Sequence, residues 1–252
     1  MAPNLTETLF ALGLGDRVVG VDDYSTYPPE VRSLPRLGGV MDPNLEAIVA
    51  LEPDLALLAP GEQELGNRLE SLGVDTLYLP NDGLADVART FTEVANRCGV
   101  PEEGRRLLAE WQEGLAPNPV PGSPQVLVSI GRRPGSLADV LVAGPGTFYD
   151  ELLTRMGAVN VFADAPTRYP QINLEEVVAR GPDVILEVRS DALPPPSMAA
   201  LTRDWARLPG LPAVRDGRVS VLGGDYVVTP GPRLPRLYQE MREALLRGGD
   251  RP

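Results

Sequence analysis

The sequence predicts an α/β protein of two Rossmann-like lobes joined by a long backbone helix. Three observations lead there: helix-turn-strand units alternate along both halves, a strand-free helical stretch runs from Leu84 to about Leu115, and one phrase is spelled twice. NLEAIVALEPDLALL (44–58) returns as NLEEVVARGPDVILE (173–187), identical at eight of fifteen positions, where average composition gives roughly one. The expected organisation is an N-terminal αβ lobe over 1–84, a helical connector over 85–116 and a C-terminal αβ lobe over 117–252.

TETLFALG reads as a short helix with Thr6 as N-cap, Glu7 in the favourable first turn and Gly13 as its stop. DRVVGV then predicts a buried strand from Arg17 to Val21. The loop that follows, DDYSTYPPEVRSLPRLGGVMDP, is rich in Pro, Gly and Tyr and too long for a mere connector, and binding residues tend to sit on such loops. Asn44 caps a helix whose apolar face is Leu45, Ile48, Val49 and Leu51. Pro53 ends that helix before the strand DLALLAP. LGNRLESLGVDTLYLP repeats helix, Gly73 stop and strand, so this half should hold a parallel sheet.

The connector, LADVARTFTEVANRCGVPEEGRRLLAEWQEGL, has helical periodicity with one break at Gly99-Val100-Pro101. APNPVPGSP (116–124) is a proline-rich spacer, and QVLVSIG opens the second αβ region. There GTFYDELLTRMG, with Thr147 and Asp150 in capping-box spacing and Gly157 as stop, answers the first helix. VNVFAD answers the VVGV strand, and RYPQ answers TYPP.

Composition narrows the chemistry. Acidic residues exceed basic ones by 35 to 23, and every cation is arginine. A surface that negative repels phosphate backbones, so no nucleic-acid partner is expected. No apolar run reaches the roughly 18 residues that cross a bilayer. Histidine is absent, which removes Ser-His-Asp and Cys-His catalysis and the usual zinc and manganese sites. Cys98 is alone, so no intrachain disulfide forms. No catalytic residue, resident metal or cofactor is expected.

Taken alone, each Asn-Leu-Glu is a well-made helix start: Asn caps, and a first-turn glutamate favours the dipole by about 0.3–1 kcal/mol. A second reading is geometric. Two like lobes carrying like glutamates suit a partner with two-fold symmetry.

The runs PNLTETLFALG, RVVGVDDYSTYPPEV, LPRLGGVMDPNLEAIVALEPDLALL, AGPGTFYDELLTRMGAVNVFAD, YPQINLEEVVARGPDVIL and GDYVVTPGPRL resemble the periplasmic vitamin B12 binding proteins of bacterial ABC importers. That class of receptor has a helical backbone between its lobes and includes binders of haem and ferric siderophores. The resemblance covers nearly the whole chain. It implies a monomeric, non-enzymatic receptor of the periplasm or cell envelope that holds cobalamin between its lobes and delivers it to a dimeric permease in the membrane. It places docking glutamates at Glu46 and Glu175, ready to pair with permease arginines. Ligand contacts fall on Tyr24, Tyr169 and Tyr226, with Gly144, Thr147, Asp225 and Arg233 as neighbours. A flat macrocycle with a polar rim suits tyrosine, which offers a broad face and one hydroxyl.

The chain also departs from that pattern. At Val40 and over Ala59–Gly61 such receptors can carry tryptophans, whereas here Trp111 and Trp205 lie in the connector and in DWARLPG. The alternative cargo is haem or a ferric siderophore, with Arg132, Arg133 and Arg233 facing its carboxylates. From another class, an αβ nucleotide-binding enzyme has only Gly13-x-Gly15 and Gly144-x-Gly146 as loops. The resemblance further implies a short apolar strand just before Ala2-Pro3-Asn4, and a leader before that, so the sequence is expected to begin downstream of both.

Overall fold

The computed structural model describes residues 2–39, 41–190 and 198–247. The chain divides into two units, Met1–Gln112 with Thr229–Pro232, and Glu113–Val228 with Arg233–Pro252. The boundary falls inside a helix, so residues 85–116 are shared between the units and do not form a separate connector.

Unit 1 runs α1 (Pro3–Ala11), α2 (Leu45–Ala50), β1 (Leu55–Leu58), α3 (Gln63–Ser71), β2 (Asp75–Tyr78), α4 (Leu84–Arg97) and most of α5 (Pro101–Gly114). β1 and β2 are parallel, with Leu55 opposite Asp75. Alternation along β1 feeds two cores. Leu57 packs with Leu5, Leu12, Leu79 and Val94 on the α1 and α4 face. Ala56 and Leu58 pack with Ile48, Leu65 and Leu69 on the α2 and α3 face. The return of Thr229–Pro232 to this unit is fixed by Trp111, whose indole N–H donates to Gly231 O at 3.1 Å. Its ring stands edge-on to Phe91 with centroids 5.5 Å apart.

Two expectations for this unit need correction. The first helix begins at Pro3, with Ala2 as N-cap, so Thr6 lies inside it. Proline at the first helical position lacks only an N–H that would be unpaired there anyway, and that position outcompetes a threonine cap three residues on. The strand read over Arg17–Val21 does not form either. Gly15–Arg17 is a 3₁₀ turn, and only Val21 pairs, in a single parallel bridge to Arg36.

Unit 2 contains β3 (Gln125–Gly131), β4 (Val140–Val142), α6 (Phe148–Arg155), β5 (Val159–Asn160), β6 (Gln171–Ile172), α7 (Leu174–Arg180), β7 (Val184–Arg189), α8 (Met198–Trp205), α9 (Pro212–Arg215), β8 (Val219–Gly223) and α10 (Leu234–Leu246). The sheet order is β6-β4-β3-β7-β8, with β5 pairing the start of β3. β7 and β8 run parallel to β3, while β4 is antiparallel to it. The proline-rich stretch 116–124 is tied into this unit: Asn118 N and Val120 N donate to Arg155 O and Met156 O at 3.1 and 2.8 Å.

At the centre of unit 2 the Arg132 side chain is fully buried and pairs with Glu187 at 3.0 Å and Asp204 at 2.7 Å. Trp205 Nε1 donates to Glu187 Oε2 at 2.7 Å, and the guanidinium lies 5.6 Å from the Trp205 ring centroid. Burial pushes the Asp204 carboxyl up, but the bonds from Arg132 and from Gly135 N–H outweigh it and hold the group below its ordinary range. An arginine enclosed in this way cannot face a haem or siderophore carboxylate, which corrects that part of the alternative reading.

The repeated phrase folds the same way twice. Asn44 and Asn173 cap α2 and α7, each accepting from the amide three residues on at 3.0 Å. Eight residues beyond each asparagine the chain turns left-handed, at Gly181 (φ 55°) in one copy and at Glu52 (φ 47°) in the other. A side chain in that region costs about 1–2 kcal/mol, partly offset by the flexibility glycine adds to the unfolded chain. Glu52→Gly is therefore expected to stabilise unit 1 by roughly 0.5–1 kcal/mol, raising the melting midpoint by about 2 °C. Calorimetry of the variant checks this, and a lowered midpoint would show that Glu52 carries no strain.

Candidate functional site

In unit 1 the loop after Val21 is held by buried polar groups. Asp22 Oδ1 accepts from Tyr24 N at 2.9 Å, and Asp22 Oδ2 accepts from Ser25 Oγ at 2.5 Å. Ser25 Oγ also lies 2.9 Å from Thr6 Oγ1 on α1. Arg36 Nη1 donates to the carbonyls of Asp22 and Ser25 at 2.9 and 2.6 Å. With its base fixed, the loop leaves Tyr24 62% exposed. The ring lies over Gly39, where a Cβ would meet Tyr24 Cε2 at 3.0 Å. Met41, at 94% exposure, follows shortly after. Val40 lies outside the described residues, and Ala59–Gly61 form a turn. Both tryptophans are core residues, each less than 5% exposed.

In unit 2 the Gly144–Thr147 turn joins β4 to α6 and is held to a single shape. Gly144 N donates to Arg168 O at 2.7 Å, and a Cβ on Gly144 would meet Thr167 O at 2.5 Å. Only glycine permits this contact, which fixes the loop carrying Tyr169, itself 40% exposed. Asn160 Nδ2 reaches Ala143 O at 3.1 Å and Asp150 Oδ1 at 3.0 Å, while its Oδ1 accepts from Phe162 N at 3.0 Å. Thr147 is fully buried: its hydroxyl donates to Gly144 O at 3.0 Å and accepts from Asp150 N at 3.2 Å. It acts as a cap and offers nothing to a ligand. Asp150 Oδ2 also takes Gly146 N at 3.0 Å, so an amide that a nucleotide phosphate would need at Gly144-x-Gly146 is already bound.

Tyr149 links this turn to the segment Asp225–Val228, its hydroxyl donating to Val227 O at 2.5 Å. Burial first, and the neighbouring Tyr169 second, push the Tyr149 phenol well above its ordinary range. Asp225 pairs with Arg233 at 2.7 Å. Tyr226 is buried, and its hydroxyl donates to Glu240 Oε2 at 2.5 Å. Arg236 sits 4.1 Å from the Tyr226 ring centroid and donates to Glu240 Oε1 at 3.0 Å. Gly144, Thr147, Tyr169, Asp225, Tyr226 and Arg233 thus belong to one connected region of unit 2. Within it Tyr169 is open to solvent, whereas Tyr226 is enclosed by arginines. Glu240, Arg236 and Asn160 were not singled out in the sequence. Only the i,i+4 spacing of Arg236 and Glu240 signals them.

Glu46 and Glu175 occupy the second position of α2 and α7 and are exposed. Beside Glu175 lies a concave surface of about 630 Å³ lined by Leu137, Leu174 and Leu208, with Arg207 at its edge.

These features make each unit a presenting surface: a rigid loop offers one tyrosine face, and a capped helix start offers one carboxylate. Over residues 1–226 the chain matches the sequence profile of the periplasmic binding protein family, and it belongs to that family. The vitamin B12-binding protein of Vibrio parahaemolyticus is 30% identical over 239 residues, 92% of this chain and 83% of that protein. Among solved structures, the periplasmic vitamin B12 binding protein of Vibrio cholerae aligns with a TM-score of 0.78 at 26% identity, covering 100% of this chain and 96% of that one. A periplasmic heme binding protein from Pseudomonas aeruginosa aligns with a TM-score of 0.76 at 27% identity, covering 96% and 89%.

The Tyr226 phenol is pushed up to about 12, by burial first and then by the Glu240 hydrogen bond and charge. A raised folded value means stability that is fully present below the unfolded value of about 10 and is lost as pH rises through 12. Glu240→Gln should lower the Tyr226 midpoint in an alkaline absorbance titration and soften the alkaline loss of stability. An unmoved midpoint would mean that burial alone sets it.

Proposed function

We propose that this chain is the substrate-binding receptor of an ABC importer and that its cargo is cobalamin or a related corrinoid. The observation that carries the reading is the pair of exposed tyrosines, Tyr24 and Tyr169, each on a loop fixed by buried hydrogen bonds. Two preformed aromatic faces suit a flat macrocycle, because little conformational freedom is lost when they engage it. Similarity along the full chain to vitamin B12-binding proteins supports the same cargo. So does the electrostatics of unit 2, where Arg233 and Arg236 are already paired with Asp225 and Glu240. Neutralised arginines favour a ligand without free carboxylates.

Haem is the second reading, favoured by the likeness to a haem-binding structure and by the exposed Arg133. A ferric siderophore belongs with it. In either case the protein works as a monomer in the periplasm or cell envelope, performs no chemistry on its cargo and needs no cofactor. Glu46 and Glu175 pair with arginines of a dimeric permease. Neither is spent on an ion pair among the described residues, and charges of this kind steer encounter and fix orientation.

Titration of the purified protein with cyanocobalamin and separately with haemin, followed by calorimetry and visible spectra, tests the cargo. The expected result is stoichiometric cobalamin binding without turnover, weakened about tenfold or more by Tyr24→Ala or Tyr169→Ala. No heat with cobalamin and a saturating haemin spectrum would replace the first reading by the second. Docking is tested separately in vesicles carrying the permease. The double change Glu46→Arg and Glu175→Arg should abolish uptake and leave ligand affinity intact, and an equal fall in affinity would overturn the docking assignment.

A further inference from the structure

The concave surface beside Glu175 is assembled from three elements of unit 2. Leu174 opens α7, Leu208 follows α8, and Leu137 belongs to the turn between β3 and β4. Asp139, on the same turn, lines the concavity together with Glu175. Both carboxylates are exposed, and among the described residues neither takes an ion pair or a side-chain hydrogen bond. The one cation on the lining, Arg207, has its Nη1 held by Gly135 O at 2.9 Å.

The turn is set before any partner arrives. Gly135 N donates to Asp204 Oδ2 at 2.8 Å, Ser136 O accepts from Arg132 Nη1 at 3.1 Å, and Ala138 N donates to Ser136 Oγ at 3.1 Å. Asp139 then takes a left-handed backbone (φ 57°), which aspartate and asparagine tolerate better than other side chains do. A lining held this way loses little freedom when it engages a partner.

We propose that Asp139 and the three leucines make this concavity a socket for an arginine-bearing segment of the permease. The guanidinium is shared by Asp139 and Glu175, and its methylene stem lies on Leu137, Leu174 and Leu208. The inference rests on the reading of Glu175 as a docking residue, and adds to it a second carboxylate and an apolar seat. The chemistry of the lining selects the occupant. A wholly apolar segment would strip water from two carboxylates and give them no partner. A small free cation would leave the leucines wet. Arginine satisfies both demands, because its stem covers apolar surface and its planar fork addresses two carboxylates at once, which the compact charge of lysine does not. A second copy of this chain is disfavoured by a net charge of −12, which repels its like and favours a basic partner.

The test measures docking of the purified chain to vesicles carrying the permease, by flotation at rising salt, against the same vesicles without it. Asp139→Asn removes one charge and suits the left-handed backbone. Ala138→Trp fills the concavity from an exposed position without touching a charge. Each should raise the half-saturating concentration about tenfold or more while cargo affinity stays unchanged, and Asp139→Asn should also flatten the salt dependence. Whichever of the two keeps the parent's melting midpoint decides the outcome. If they dock as the parent does while the Glu46→Arg, Glu175→Arg double variant fails to dock, the socket is overturned and the glutamate reading stands. Parent-like docking by the double variant as well would remove both. A concentration-dependent dimer of the parent chain that is lost in Ala138→Trp would name a second copy as the occupant and overturn the proposal too.

Discussion

Much of unit 2 depends on one buried charge. Moving a guanidinium out of water costs several kcal/mol, and the loss is recovered only when every donor finds an acceptor in good geometry. Arg132 meets that demand with Glu187 on β7, Asp204 and Leu201 O on α8, and Ser136 O in the turn before β4. These partners come from three separate stretches of chain, and the ion forces them together. Asp204 then holds Gly135 N at 2.8 Å, which anchors the turn from which β4 runs toward Gly144. Removing any one partner would strand a charge in the interior, so the arrangement tolerates little variation.

The candidate ligand region is built in a similar way from short-range constraints. Asn160 sits on the two-residue strand β5 and reaches the end of β4, the first turn of α6 and its own chain. Tyr149 carries that order to the segment holding Asp225 and Tyr226. On unit 1, Asp22 and Ser25 play the corresponding part beneath Tyr24. In both units the presented tyrosine stands on a base held by several hydrogen bonds. Family membership and this geometry agree on a capture function.

Legibility in the sequence followed the range of the interactions. The caps at Asn44, Thr147 and Asn173 were readable because a cap needs only the next three residues. The helix-turn-strand units around Pro53 and Gly73 were readable for the same reason. The Arg17–Val21 strand was misread because a run of valines specifies only a willingness to extend, and pairing depends on what lies alongside. Arg132 and Tyr226 look in sequence like an exposed cation and an exposed ring. Their burial depends on Glu187 and Glu240, 55 and 14 residues away, with no local pattern linking them. Trp111 and Trp205 illustrate the same limit, since each donates its indole N–H to an acceptor that spacing does not reveal.

The contact at Gly144 bears on the timing of events during capture. Because that residue lets the backbone pass within reach of Thr167 and Arg168, the Tyr169 loop is locked when the unit folds. The entropy of ordering that loop is therefore lost once, at folding. On the proposed reading, an incoming molecule would meet a wall that is already set, so arrival would be governed by diffusion and desolvation, and selection among molecules of similar outline would fall to how well each matches a surface that does not adjust.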